Sequence, residues 1–394
     1  MKSSAPEGSR VLRSRGSEEE NMLREAVSGI AAEFGPVYYR RVCATGAPAR
    51  ELWEALAERG FLGVHLPERY GGGGRGLREL TVIMEETAAS GCPMLLLMLS
   101  PGIIGMIVNR HGTPRQKDRW LPGVADGSLR FSFALTEPDA GSNSHNICTT
   151  ARREGDRYVV NGQKCFISGA NDCDEMMVVT RTGSSGEQRG RFTILMIDPK
   201  SPGLAMQPVP AAPQIPEQQF TVNFDDVHVP VERRIGDEGN GLRVAFDGMN
   251  PERILSSALS SGIGRWALKR ACQYARTRRV WPSAIGAHQA IAHPLAEAKV
   301  RLEQARLMTN KAAALYDAGS SVGESANIAK FASAEAGVFA LDRAIQTHGG
   351  NGVASDYDLS SFWFLARLQL IAPVSRESVL NYVAEHSLDL PRSY

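Results

Sequence analysis

The sequence predicts an α+β protein of three parts: an N-terminal helical domain, a small central β-barrel or sandwich, and a C-terminal four-helix bundle. Three observations carry that expectation. A chain of 394 residues exceeds what one ordinary core accommodates. Its hydrophobic period changes twice, from helical steps to short strand-like runs near residue 127 and back again near residue 236. The runs of the middle third are rich in aromatic and β-branched residues and are separated by Gly, Asp and Ser. With 43% hydrophobic and 22% charged residues, the composition is that of a globular protein.

Residues 1–16 place Lys2, Arg10, Arg13 and Arg15 among serines and read as a disordered tail, with a short organellar targeting segment as the alternative. Ser17 and Glu20 have the spacing of a capping box, which opens a first helix over 17–34. A second helix over 49–59 carries Leu52, Ala55 and Leu56 on one face and ends at Gly60. Thr113 and Pro114 supply an N-cap and a first-turn proline for a short helix ending near Leu121. The helical domain thus spans 17–126. Gly71 to Gly76 formally satisfies G-x-G-x-x-G, but the turn-like Pro67-Glu68-Arg69-Tyr70 precedes it where a buried strand is required, so it reads as a surface turn. Strands are expected at 131–135, 157–160, 176–180 and 192–197, within a β domain spanning 127–236. In the last domain, 237–394, helices are expected over 251–278, 289–318, 324–348 and 375–388. Leu295, Ala298, Leu302, Ala305 and Ala312 recur at the spacing of a bundle helix and are small enough for close contact.

Bulk properties exclude several classes. The chain has 44 basic and 43 acidic residues, a net charge of +1, which gives no electrostatic case for nucleic acid or an anionic membrane. No run approaches the roughly 20 apolar residues that span a bilayer. Six cysteines without C-x-x-C pairing argue against a disulfide framework or zinc site and suit a reducing, cytoplasmic compartment. His145, His288, His293 and His348 are not grouped at metal spacing, so no metal is expected.

The chemistry-bearing stretch is Leu135-Thr136-Glu137-Pro138-Asp139-Ala140-Gly141-Ser142-Asn143. Thr136 closes a strand, and the Gly141-Ser142 turn after it presents hydroxyl and backbone N–H donors that suit a ring edge and an anion. Phe166 and Ser168, on a second strand, offer an aromatic cover and a hydroxyl. Four further stretches accompany it: 60–72 (GFLGVHLPERYGG), 161–168 (NGQKCFIS), 274–278 (YARTR) with Gln289, and 346–352 (QTHGGNG). Together, over residues 17–385, they resemble the acyl-CoA dehydrogenase family.

That resemblance implies FAD as cofactor and an acyl-CoA substrate that loses hydrogens from Cα and Cβ, with the electrons passed to an electron-transfer flavoprotein. It implies that Phe133, Leu135, Thr136, Gly141, Ser142, Phe166 and Ser168 bind FAD. Arg278, Trp281, Gln289, Gln346 and Gly350 would reach the FAD of a neighbouring subunit, which implies a homotetramer. Ser375 and Glu377 occupy the family's T-x-E/Q positions near the adenosine. Ser142, Asn250, Arg253 and Ala372 are expected against the substrate, with residues 95–100 and Ala372 lining the acyl cavity.

Desaturation needs a base for the α-proton and donors for the enolate-like oxygen. Many family members carry the base in an E-G-T motif near the C-terminus, where this sequence has Pro373, which offers neither acid–base chemistry nor an N–H. Isovaleryl- and long-chain-type members carry it on a bundle helix just before an arginine. Glu252-Arg253 stands there, so Glu252 is the expected base, at the start of a helix opened by Pro251. A simple helix-dipole role competes for Glu252, and Glu377 is the fallback. Pro373 also motivates two alternatives: a non-catalytic, flavin-binding partner subunit of a hetero-oligomeric dehydrogenase, and an acyl-CoA oxidase or flavin monooxygenase on the same fold.

Overall fold

In the computed structural model, residues 18–182, 191–212 and 215–392 are described; the expected tail and the Ser17 cap lie outside them. Helix α1 (Glu18–Thr45) bends where Gly35 takes a φ of 65° ahead of Pro36, so the expected end near residue 34 is a kink within a longer element. Helix α2 (Arg50–Ala57) buries Leu52, Trp53 and Leu56. Helix α3 (Leu77–Ala89) is buried at every position from Leu80 to Ala88. Burial on all sides removes the amphipathic period by which sequence reading finds a helix. Its first N–H groups are capped from far along the chain: Leu77 and Arg78 donate to the Asp317 carboxylate at 2.7 and 3.0 Å. A π-helix (Met98–Gly105) runs directly into α4 (Met106–His111). Helix α5 (Pro114–Ala125) starts on the expected Thr113 cap, completed by Gln116 as a reciprocal capping box, and runs four residues past Leu121.

Eight strands follow: β1 (Phe131–Ala134), β2 (Thr150–Glu154), β3 (Arg157–Ser168), β4 (Glu175–Arg181), β5 (Phe192–Ile197), β6 (Leu204–Pro208), β7 (Gln219–Pro230) and β8 (Arg234–Ile235). The sheet order is β6-β7-β3-β2-β4-β5-β8, with β1 parallel to β4. The four expected strands are present, and β3 is three times the expected length. β2 and β6 escape a hydrophobic pattern search because they are mostly exposed. β7 buries Phe220, Val222 and Phe224 in strict alternation, a period-2 signal that was legible. These side chains, with Tyr158, Val160, Val178 and Leu195, form the domain's interior.

Helices α6 (Gly241–Thr277), α7 (Gln289–Asp317), α8 (Gly323–His348), α9 (Trp363–Leu368) and α10 (Arg376–His386) make up the last domain. The bundle corrects one expectation: α6 begins ten residues before Pro251, which is therefore an interior proline and not a first-turn residue. Pro251 has no N–H for the Asp247 carbonyl, a local weakness that packing on both sides of the helix must offset. Gly337 permits the α6–α8 contact, since a Cβ there would meet the Ser260 carbonyl at 2.6 Å. Between α1, α3, α6 and α7, Glu85 and Glu86 are ringed by Arg24, Arg265 and Arg306. Burial opposes the charge on Glu85, but the three guanidiniums prevail and hold its carboxyl down at about 2. Among the described residues no helix is long and apolar enough to cross a membrane.

Candidate active site

The turn after β1 is built on a buried ion pair. Lys164, fully buried on β3, donates to Glu137 Oε1 at 2.8 Å and to the Leu135 carbonyl at 2.9 Å. The Glu137 carboxylate also accepts the backbone N–H of Cys148 (2.6 Å) and Thr149 (2.9 Å). Burial works against its charge, yet the Lys164 ammonium and these three donations leave its pKa below the usual value. Neither residue figured among the expected site residues. Their effect is to pin the turn, so that Thr136 is half-buried and Gly141 and Ser142 face outward. Gly141 has no positive φ, and a Cβ built on it meets nothing within 4 Å. Nothing among the described residues requires glycine there, and its backbone is open to close approach.

On β3 the pairing with β7 slips between Lys164 and Ile167, and Phe166 at that bulge has a φ of 55°. An aromatic residue in the left-handed region is a rare and costly conformation. Here it turns the ring out of the sheet, 62% exposed. Beside it, Ser168 Oγ pairs with Gln219, accepting from Nε2 at 2.9 Å. Phe133 and Leu135 are half-buried on the same edge. An exposed flat ring, a hydroxyl and an open glycine turn therefore share one rim of the β domain, and they fit a flat, polar-edged group bearing an anionic tail.

The structure places Glu252 well inside α6. Gly248 and Leu255 lie four residues before it and three after it, on its own face of the helix. A Cβ on Gly248 would meet Ile107 at 2.8 Å and Ile103 at 3.1 Å, and Leu255 packs against Gly102 of the π-helix. One turn on, Ser256 donates to Gln369 Oε1 at 2.8 Å. Glu252 thus faces the seam between the π-helix and residues 369–374. It is half-buried and accepts no hydrogen bond among the described residues. Burial raises its carboxyl to about 7, against the pull of Arg253 and Lys330. The helix-dipole reading loses its basis, because Glu252 is three turns from the N-terminus. Arg253 Nη1 donates to Asn250 Oδ1 at 3.0 Å while its Nε is buried without a partner among the described residues.

The π-helix holds the second half of residues 95–100, all six of them buried except the half-buried Leu96. Such wide turns are rare and recur at functional sites. Leu96 N donates to Glu217 Oε1 at 2.9 Å; Glu217 was not foreseen. It is fully enclosed, its Oε2 lacks a partner among the described residues, and burial raises it to about 7.

Arg278, Trp281, Gln289, Gln346 and Gly350 gather at one end of the bundle, at the α6 C-terminus, the α7 N-terminus and the α8 C-terminus, and all are exposed. Tyr274 stacks on His348 (4.2 Å between centroids) and receives a hydrogen bond from Asn351, which ties that end together. Gly350, like Gly141, has open space where a Cβ would stand. Ser375 caps α10, its Oγ accepting from Ser378 N at 3.1 Å, and Glu377 is exposed in the first turn. Ala372 and Pro373 are half-buried. Among the described residues no group of His, Cys, Asp or Glu could hold a metal ion.

Comparison with known proteins agrees with this architecture. Residues 17–128, 132–227 and 239–388 match the family models for the N-terminal, middle and C-terminal domains of acyl-CoA dehydrogenase. The chain is 48% identical over 380 residues to Acyl-CoA dehydrogenase FadE12 of Mycobacterium tuberculosis, covering 96% of this chain and 98% of that one. It is 31% identical to the caffeyl-CoA reductase-Etf complex subunit CarC of Acetobacterium woodii, over 88% of this chain and 92% of that one. Among solved structures, the FAD complex of PigA superposes with a TM-score of 0.89 at 25% identity, covering 96% of this chain and all of that one. Three domain matches in order, and a relative nearly half identical along its whole length, lead to one conclusion: the chain belongs to the acyl-CoA dehydrogenase family.

Proposed function

We propose that the protein is an FAD-dependent dehydrogenase that desaturates an acyl-CoA between Cα and Cβ. The observation that carries the reading is Glu252: a carboxylate raised to about 7, without a hydrogen-bond donor among the described residues, on the α6 face between the buried π-helix and residues 369–374. A base at its working pH with no competing donor is what α-proton abstraction needs. The C–H bond at Cα breaks, the proton passes to a Glu252 oxygen, and the electron pair moves toward the thioester oxygen. FAD, when bound, supplies the acceptor for the β-hydrogen and relays the electrons to an electron-transfer flavoprotein.

Phe166 and Ser168 would cover the flavin ring, Phe133, Leu135 and Thr136 would border it, and the open backbone at Gly141 and Ser142 would admit the pyrophosphate. Ser142 together with Asn250, Arg253 and Ala372 would meet the substrate. The exposed bundle end with Arg278, Trp281, Gln289, Gln346 and Gly350 fits a second subunit's FAD, with Arg278 for phosphate, in a homotetramer. Ser375 and Glu377 would lie near the adenosine, although the Ser375 hydroxyl already serves as a helix cap. The test is anaerobic addition of acyl-CoA to the yellow holoenzyme. The wild type bleaches and E252Q, with FAD bound, stays oxidised over the same time; full bleaching by E252Q at the wild-type rate would refute the assignment.

A further inference from the structure

One buried cation lies outside every residue set assigned so far. Lys330, on α8, is 1% exposed, and its Nζ donates to the carbonyl of Val374, immediately after the Pro373 that occupies the family's usual glutamate position. The charged groups around this ammonium come from three helices: Glu252 and Arg253 on α6, Glu335 on α8 and Glu377 on α10. Those facing Glu252 are Arg253 and Lys330. Arg253 is partly committed to Asn250. The ammonium therefore links the two walls of the seam: it grips the 369–374 segment through the Val374 carbonyl, and its charge acts through space on Glu252.

We propose that Lys330 is a positioning residue for α-proton abstraction, holding the Val374 carbonyl so that residues 372–375 form a fixed wall and setting a positive charge beside Glu252. This rests on Glu252 being the base. The physical case is the cost of burying an ammonium, which one neutral carbonyl does not repay. Burial, followed by the repulsion of Arg253, pushes Lys330 down to about 8, while Glu377, Glu252 and Glu335 favour its charged form. When substrate displaces water from the seam, the field at Glu252 strengthens as local screening falls. A hydrophobic side chain of similar length would fill the space without supplying either effect.

The experiment uses the FAD-loaded full chain and three variants. K330M removes bond and charge, K330Q keeps an N–H donor for Val374 but no charge, and K330R keeps the charge. Two readouts are taken between pH 5 and 9: the anaerobic bleaching rate, and proton uptake in weak buffer when an unreactive CoA thioether binds. Expected are upward shifts of both midpoints by about one pH unit in K330M and K330Q, a lower limiting rate at high pH in K330M alone, and near wild-type profiles for K330R. Unshifted midpoints in K330Q, a K330R profile displaced like that of K330Q, or failure of all three variants to fold with FAD would overturn the proposal. If K330M alone fails to fold, the charge is still tested by K330Q against K330R. Failure of the base assignment reads differently, as bleaching by E252Q whatever the state of residue 330.

Discussion

Glu137 in the β domain and Glu252 in the bundle are both carboxylates withdrawn from bulk water, and the chain treats them in opposite ways. Glu137 receives an ammonium and two backbone N–H groups at 2.6–2.9 Å and stays ionised below the usual range. Glu252 receives no hydrogen bond among the described residues, has its cations only at the level of the field, and rises to about 7. Hydrogen bonds to the charged form lower a pKa and desolvation raises it, so the donor count around each acid distinguishes a fixed turn from a poised base.

The largest effect expected from breaking this contrast is at Glu252: E252Q should slow anaerobic flavin reduction by about a thousandfold, within the range of a lost general base, with FAD content unchanged by absorbance. K164M should cost about 3 kcal/mol of folding stability, because Glu137 is left buried without its counter-charge; chemical denaturation of holoenzyme reads it, and wild-type stability in that variant would show the clamp to be dispensable. The pH profile sharpens the comparison further. Glu252 works ionised, so the rate should fall about tenfold per unit as pH drops below about 7 and level off above it; stopped-flow bleaching across pH 5.5–8.5 measures it, and a flat profile would contradict the raised acid. The smallest effect is expected at F166A, which loses about 1 kcal/mol of aromatic contact and so binds FAD about fivefold more weakly, read by titrating FAD into apoprotein.

How far the sequence carries differs between these two sites for physical reasons. The strands bearing Phe133 and Phe166 announce themselves by β-branched and aromatic runs, and the long bundle helices by their period. The Glu137–Lys164 clamp is silent because its members are 27 residues apart and meet only once β3 lies beside the turn. Glu252 was found through the arginine after it, but its setting was misjudged. Pro251 looks like a helix opener, and only the packing of Gly248 against Ile103 and Ile107 shows the helix running on through it. Glu217 and Lys330 could not be singled out, since their partners, Leu96 N and the Val374 carbonyl, are backbone atoms that every sequence possesses. Helix α3 was missed because burial on every face leaves no period to find.

The wide helix at Met98–Gly105 has a consequence for how this scaffold can change. A π turn accommodates one residue more than an α turn over the same rise, so removing a single residue there would let the segment rewind. The segments on either side would keep their facing, because the extra residue is taken up within the wide turn, and only side chains inside it would shift. Met98, Leu99 and Ser100 would exchange neighbours in one step while α4 and the sheet kept theirs, so this segment can change what it presents to α6 without disturbing the rest of the fold.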